Sequence, residues 1–479
     1  MSFKRQVISG LLWSIFSKLV TQILSWVSTF FVIRLLTPED YGVMSIAAVF
    51  FTLVSMFATS GLSKAVVNEQ KRCERTSNLI FTFSLLVNLV LSSLVVISAP
   101  FIADWYNNQN LVPVLWMMAA ISPASSFIVI PLAHLQMEMR FKSKAFIEGA
   151  AMLFGSIVAL SLALNLDTGY WALVFSSVAI TVVRMIGYNL VARSRYRPTL
   201  NFKGAFSLYS FALHLQLGGV IWFLYSRADT LILGKFLGLE KTGVYNVANE
   251  VATIPMNKVT MIMNDVAFAA FNKVKTDMVA AKAYLQKALR LLSVVAFPVF
   301  YGIASISNEI VSIVLGEKWI EAGPLISLFC IIVPFRMLNI LLGNFITGMG
   351  EVKFGLKNAI LTAICLITAL FIGGPYGLKI AAFTWSLGYA IALIIMYRRF
   401  LCKFDLPWRF FSVACTPFFL SALMLVGLSQ LGGYLASQTT FSIEVWQIMF
   451  LKILAGGGSL GLALLCLYGR EMRELLSKA

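Results

Sequence analysis

Read only as hydrophobic and polar positions, the chain is a succession of apolar runs of about 20 residues, the length a helix needs to cross a hydrocarbon core. The runs fall at Gly10 to Ile33, Tyr41 to Leu62, Ser77 to Ala99, Leu111 to Ala133, Phe146 to Leu164, Tyr170 to Val191 and Leu208 to Leu233. They continue at Val244 to Ala270, Ala288 to Ile306, Pro324 to Thr347, Asn358 to Gly373, Tyr376 to Tyr397, Phe410 to Leu428 and Ser442 to Tyr468. Composition agrees with a bilayer as solvent. The 479 residues are 59% hydrophobic and 12% charged, with a mean hydropathy of +0.84, whereas a soluble domain carries about 25% charge. The predicted fold class is an all-α polytopic membrane protein with about 14 transmembrane helices.

A formal net charge of +17 in a soluble protein would suggest a nucleic-acid partner. Here the placement of the charge gives a different reading. Clusters such as Lys64, Lys71, Arg72 and Arg75, or Arg193, Arg195, Arg197 and Lys203, occupy every second connection. Only Arg34, Lys235, Lys241, Lys318 and Lys379 fall in the others. By the positive-inside rule both termini of this multi-pass protein are expected to be cytoplasmic. Anionic lipid then accounts for the basic loops, and no nucleic acid is expected. The first run is too long for a signal-peptide core and lacks a small-residue cleavage site, so it is expected to insert uncleaved. Cys330, Cys365, Cys415 and Cys466 fall within spans and Cys73 and Cys402 in cytoplasmic loops, which leaves no extracytoplasmic disulfide framework. His134 and His214 are the only histidines and argue against a zinc or haem site; no cofactor is expected.

One phrase occurs twice. RLLTPEDYGVMSIA runs from Arg34 to Ala47 and KFLGLEKTGVYNVA from Lys235 to Ala248, aligned without a gap at an offset of 201 residues. Six spans separate the copies, and an even number preserves direction through the membrane. Two parallel six-helix repeats follow, related by a pseudo-two-fold along the membrane normal. The corresponding boundaries are 1–203 for an N-lobe, 204–403 for a C-lobe and 404–479 for two additional C-terminal helices.

The repeat extends down the second and eighth spans. Ser45, Val49, Thr52, Met56, Thr59 and Ser63 form one stripe, and the same offset gives Asn246, Glu250, Thr253, Asn257, Thr260 and Asn264. A polar row in lipid faces protein or water, so it either lines a cavity or hydrogen-bonds neighbouring helices; threonines alone fit the second reading. Further ionisable residues lie within spans: Lys18, Arg184, Arg227, Asp229, Lys258, Arg336 and Lys452. Each costs about 2.5–3.5 kcal/mol at the bilayer centre unless partnered or hydrated. For Lys18 and Arg336, ligand binding and a structural ion pair both remain open; Arg184 and Lys452 are expected to snorkel or pack. Glu309, Glu317 and Glu321, in an outside connection, are expected to be solvated.

The turn RLLTPEDYG, the junction MRFKSKAF at Met139 to Phe146, VAFAAFNKVKTD at Val266 to Asp277 and VLGEKWIEAGP at Val314 to Pro324 resemble the lipid-linked oligosaccharide flippases of the O-antigen and colanic-acid type, polysaccharide exporters of the multidrug and oligosaccharidyl-lipid flippase superfamily. The similarity covers Ser9 to about Arg399. It implies a secondary-active transporter without an ATPase, which carries an undecaprenyl-diphosphate-linked oligosaccharide to the periplasmic leaflet through a cavity of alternating access. The implied partners are that lipid-linked oligosaccharide, membrane lipids, H+ or Na+, and a polysaccharide polymerase. Under this resemblance Lys18, Arg227 and Arg336, with Asn246 and Asn257, are the cavity residues expected to bind substrate, and Asp229 and Glu250 those expected to couple a cation. No family motif marks these positions; membrane depth and residue type select them.

Three rivals are weaker on the residues. An ATP-driven pump needs a phosphate loop, and the only glycine spacing of interest, Gly456, Gly458 and Gly461, lies inside an apolar span. A membrane polymerase or ligase, the enzyme alternative, is expected to carry a large outside loop that this chain lacks. A cation-coupled multidrug exporter of the same superfamily would carry few fixed cations in its spans, whereas Lys18, Arg227 and Arg336 are present. Lys18→Glu is expected to impair polysaccharide export while membrane insertion, followed by immunoblot of washed membranes, stays at the parental level; normal export would remove Lys18 from the site.

Overall fold

The computed structural model describes residues 26, 28–68, 74–138, 140–165, 168–194, 196–199, 223, 226–273, 277–437 and 444–457. The described residues are helical and connecting segments, with no strand among them. Nine helices among them are long and apolar enough to cross a membrane, and two shorter apolar helices, Thr416–Gln430 and Val445–Gly457, follow. Of the fourteen expected spans, Gly10 to Ile33 and Leu208 to Leu233 lie largely outside the described residues. The expected span Val244 to Ala270 is part of a longer helix, Ala228–Lys273, that is not among the nine.

Five helices build the first part of the chain: α1 (Pro38–Asn68), α2 (Glu74–Trp105), α3 (Leu111–Met137), α4 (Phe141–Asn165) and α5 (Trp171–Ala192). The start of α1 is written locally. Pro38 occupies the first helical position, where its missing N–H costs nothing. Thr37 and Asp40 cap reciprocally: the Thr37 N–H donates to Asp40 Oδ2 at 2.9 Å and the Asp40 N–H to Thr37 Oγ1 at 3.3 Å. In the second copy of the phrase Gly238 stands where Thr37 stands in the first. Its φ of 78° breaks the 46-residue helix α6 (Ala228–Lys273) in two, a conformation that favours glycine.

Within α3 a 3₁₀ turn at Ser122–Ser125, opened by Pro123, interrupts the span. Its hydroxyls are gathered by Asn88 of α2: Ser122 Oγ donates to Asn88 Oδ1 at 2.9 Å, and Asn88 Nδ2 donates to Ser126 Oγ at 2.6 Å. All three residues are fully buried. A kink in lipid is tolerated only when its polar groups find partners, and Asn88 supplies them. α1 packs on α2 and on the second half of α3, and α4 packs on α5. Glycine allows the last pairing: a methyl group on Gly155 would strike Ile180, and Ser176 Oγ instead reaches the Gly155 carbonyl at 2.8 Å. Tyr106, just beyond α2, is buried against Ile46, Val43 and Leu111, and burial pushes its phenol up to about 12. It therefore stays a neutral donor, to the Leu231 carbonyl at 3.1 Å. His134 is buried with Nδ1 2.7 Å from Ser194 Oγ.

The later helices are α7 (Met278–Ser305), α8 (Ala322–Gly348), α9 (Val352–Gly373), α10 (Leu378–Phe404), α11 (Cys415–Ser437) and α12 (Val445–Gly457). Asp277 caps α7, accepting the Ala280 N–H at 3.0 Å. α7 packs on α8 and α11, and α9 on α10. Phe297 and Tyr301 of α7, Phe335 of α8 and Phe418 of α11 interlock edge to face, with centroids 5.0–6.2 Å apart. Outer faces remain apolar: Phe101, Leu190 and Leu423 are 72%, 70% and 72% exposed, as lipid-facing positions should be.

The chain divides into two compact units, Met1–Gly243 and Val244–Ala479, with the break inside α6 and inside the second copy of the repeated phrase.

The connection between α7 and α8 corrects one expectation. It folds as a short helix Ser307–Ile310, a π turn Val311–Leu315 and a 3₁₀ turn Glu317–Trp319. Glu309, expected to be solvated, is 12% exposed at its side chain and accepts a 2.5 Å ion pair from Lys452 of α12. Lys452 Nζ also donates to the Ser305 carbonyl at 2.9 Å. Lys452 neither snorkels nor merely packs; it docks α12. Breaking a buried pair strands the remaining charge, which costs about 3–5 kcal/mol. Lys452→Ala is accordingly expected to lower the melting temperature in detergent, and Lys452→Met with Glu309→Leu to restore most of it; an unchanged melting temperature in the single variant would refute the docking role.

Candidate functional site

Among the predicted residues, Arg336 has the most developed surroundings. It lies near the middle of α8, two residues after Pro334, in a helix with a buried apolar face. Its guanidinium sits 5.5 Å from the ring centre of Trp385 and 5.8 Å from that of Tyr389. These two residues are one turn apart on α10 and their rings stack, 5.8 Å between centres and 23° between planes. Phe329 meets Trp385 edge on at 5.5 Å, and Tyr245 meets Phe329 at 5.1 Å. Asn339, one turn further along α8, donates to the Tyr389 hydroxyl at 3.4 Å. The aromatic wall is thus held from both sides.

Arg336 has no carboxylate partner among the described residues, and its Nη1 is buried without a hydrogen-bond partner there. Aromatic faces stabilise a guanidinium by cation–π attraction and leave Nη1 as a donor that an acceptor such as a carboxylate or a phosphate could meet. Of the two readings for Arg336, the structural ion pair is absent among the described residues.

The other predicted residues are placed differently. Arg227 precedes α6 and is exposed. Asp229 is buried in the first turn of α6, where Oδ1 accepts the Thr230 N–H at 2.7 Å; a carboxylate there also meets the positive end of the helix. Both belong to the first unit, whereas Arg336, Asn246, Glu250 and Asn257 belong to the second. On α6, Asn246 is half-buried and Glu250 and Asn257 are exposed. Between them, Thr253 and Thr260 are buried and donate to carbonyls of their own helix, to Asn249 at 2.7 Å and Met256 at 2.9 Å. The polar stripe therefore divides: its threonines bond carbonyls of their own helix rather than of a neighbour, and its side chains at 250 and 257 are exposed. Lys18 and His214 lie outside the described residues, as do the side chains of Lys258 and Asn264.

Two features escaped the sequence reading. The wall of Trp385 and Tyr389 is an i, i+4 aromatic pair, a common core pattern that carries no signal until Arg336 is seen against it. Glu148, two residues into the fifth span, pairs with Arg184 across α4 and α5, Nη2 to Oε2 at 2.7 Å, and accepts the Tyr188 hydroxyl at 2.6 Å on Oε1. Arg184 is thus held by a counter-ion, which a search of the span for carboxylates would have suggested.

Comparison with known proteins agrees with this fold. Residues 31–324 match the family model described as polysaccharide biosynthesis protein, and the chain belongs to that family. It is 25% identical over 410 residues to the lipopolysaccharide biosynthesis protein WzxC of Escherichia coli (strain K12), covering 82% of this chain and 80% of WzxC. It is 24% identical over 498 residues to the teichuronic acid biosynthesis protein TuaB of Bacillus subtilis (strain 168), covering 100% and 99%. Among solved structures, the lipid II flippase MurJ in an inward closed conformation superposes with a TM-score of 0.78 at 14% identity, over 96% of this chain and 100% of MurJ. The last likeness defines the fold: an all-helical, multi-pass membrane protein.

Arg336→Lys keeps the charge and loses the planar fork and its stacking, worth about 0.5–2 kcal/mol, or roughly 2–30-fold in substrate affinity. Arg336→Glu is expected to abolish export and Arg336→Lys to leave a reduced rate, read as surface polysaccharide per cell at matched protein level; equal export from all three chains would exclude Arg336 from the pathway.

Proposed function

We propose that the chain is a secondary-active flippase that moves an undecaprenyl-diphosphate-linked oligosaccharide repeat unit across the bacterial inner membrane for surface polysaccharide biosynthesis. The observation that carries this reading is Arg336: a permanent cation deep in a membrane helix, braced by Trp385 and Tyr389, with one N–H unused. Such a group is costly in lipid unless an anion or water meets it. A diphosphate meets it twice over, being doubly acidic and rich in acceptor oxygens. Aromatic faces beside the cation offer apolar contact to a sugar ring, while a prenyl tail needs only the bilayer.

Family membership supports the substrate class, since the relatives are named for lipopolysaccharide and teichuronic acid biosynthesis. The fold neighbour MurJ is named a lipid II flippase, and the same task here would proceed by alternating access. In this reading Lys18 and Arg227 add positive charge along the route, Asn246 and Asn257 offer amides to sugar hydroxyls, and Asp229 and Glu250 exchange H+ or Na+ to drive the cycle. Both termini are cytoplasmic, and a polymerase takes up the delivered unit outside. A multidrug exporter, the second reading of the sequence, would have little use for an unpaired arginine, because its cationic cargo would be repelled by it.

The test is a deletion strain assayed for surface polymer and for the leaflet that holds the lipid-linked repeat unit. Polymer should disappear and the unit should accumulate on the cytoplasmic leaflet. Accumulation on the outer leaflet would place the protein after translocation and overturn the proposal, as would unaltered polymer.

A further inference from the structure

The hairpin of α9 and α10 is closed by one turn at Gly374–Tyr376, and its two helices pair antiparallel along their length. Gly388 lies against Ala369, the Thr362 hydroxyl donates to the Met396 sulfur at 3.1 Å, and Lys403 Nζ sits 2.9 Å from Glu351 Oε1. The start of α9 and the end of α10 therefore share one level, and that level collects charge. Lys353 and Lys357 on α9 and Arg398, Arg399 and Lys403 on α10 stand there against two carboxylates, Glu351 and Asp405. The closed end of the hairpin carries a single cation, Lys379.

Little of the charge at the open end is neutralised within the protein. Lys403 and Glu351 are 40% and 39% exposed at their side chains, and an ion pair in that setting holds weakly. The other four cations have no carboxylate within ion-pair distance among the described residues. Lys353, Lys357 and Arg398 are exposed. Arg399 is half-buried, its guanidinium 5.6 Å from the ring centre of Phe354, and Lys357 follows Phe354 by one turn of α9. Stacking of this kind orients a guanidinium without neutralising it.

Apolar surface continues directly from these cations. α8 packs on the inner side of the hairpin. On the outer side Ile360 and Ile364 of α9 and Ile391 and Ile395 of α10 are exposed, on the same helical stripes as Lys357 and Arg398. Lys357 and Ile364 are about 10 Å apart along the helix axis, the step from a phosphate to the upper part of an acyl chain. Trp408, just beyond the end of α10, is exposed as a tryptophan at headgroup level is. A ligand that fits has a negative head and hydrocarbon chains. Free phosphate makes no use of the apolar stripes, and a zwitterionic lipid brings its own cation against those of the protein.

We propose that the open end of the hairpin of α9 and α10 is a binding site for an anionic phospholipid, which seats its phosphate between Lys357 and Arg399 and lays its acyl chains along the isoleucines beyond them. Lys353, Arg398 and Lys403 enlarge the positive field around the phosphate. A phosphate shared by both helices joins them at the end where no turn does. The site lies wholly in the second unit, on the end that the charge distribution assigns to the cytoplasm, and it is independent of the cargo that the chain carries.

The experiment titrates the full chain, purified and delipidated in detergent, with dioleoylphosphatidylglycerol and separately with dioleoylphosphatidylcholine, and follows the first bound lipid by native mass spectrometry. The phosphatidylglycerol is expected to bind about tenfold more tightly. Lys357→Gln with Arg399→Gln is expected to remove that preference, and Lys357→Arg with Arg399→Lys, which keeps both charges, to retain it. Arg193→Gln with Arg197→Gln, two exposed cations of a basic connection in the first unit, should leave the preference in place. Equal affinity of the unaltered chain for the two lipids would overturn the site. An equal loss in both glutamine pairs would overturn it too, since the effect would then be one of net charge. A second measurement needs no substitution. Phosphatidylglycerol carrying a diazirine in its acyl chain is expected to label the unaltered chain on peptides that contain Ile360 and Ile364 or Ile391 and Ile395; labelling spread evenly over all the lipid-facing helices would refute the proposal.

Discussion

A polar group placed in hydrocarbon has to be bonded, paired or wet, and this single constraint organises the molecule. Asn88 exists where it does because Pro123 breaks a span and three serine hydroxyls come free beside it. Glu148, Arg184 and Tyr188 neutralise one another between two helices. Lys452 and Glu309 do the same between helices distant in sequence. Among the described residues Arg336 differs from these in having no carboxylate partner.

The same rule explains what could be read from the sequence. Hydrophobic length located the spans: the one expected at Ser77 to Ala99 falls inside α2, and the one expected at Tyr376 to Tyr397 lies on α10 but for its first two residues, because a twenty-residue apolar run has few other physical outcomes. Arg336 was visible as an isolated charge. Its surroundings were not, since whether Trp385 and Tyr389 face a cation or a core depends on how α8 and α10 are rotated, which periodicity leaves open. Thr253 and Thr260 bond carbonyls of their own helix, which the stripe also left open: a hydroxyl can bond its own helix, so a threonine in a polar stripe is ambiguous in a way that an asparagine or glutamate is not. Glu309 was misread because position in a connection was taken as exposure, whereas the connection folds back into helical turns and carries the carboxylate inward.

Glycine is used in this chain in two distinct senses. At Gly238 the backbone conformation itself is what only glycine adopts comfortably, and a helix is broken there. At Gly42, Gly243 and Gly155 the backbone is ordinary helix, and the absent side chain makes room for a neighbour. The repeat preserves the second use and lets the first vary, with a threonine cap in one copy and a glycine kink in the other. Contact geometry has thus been kept across the duplication more faithfully than turn chemistry.

The pair of Lys452 and Glu309 also has a consequence for the history of each molecule. The partners are 143 positions apart, so a ribosome delivers the carboxylate long before the ammonium that neutralises it. Until α12 enters the bilayer, Glu309 lacks this partner and the second unit is unfinished. Assembly is therefore timed by α12: a chain cut short between Glu309 and Lys452 carries a conspicuous polar defect, the kind of mark by which membrane quality control distinguishes an incomplete product from a finished one.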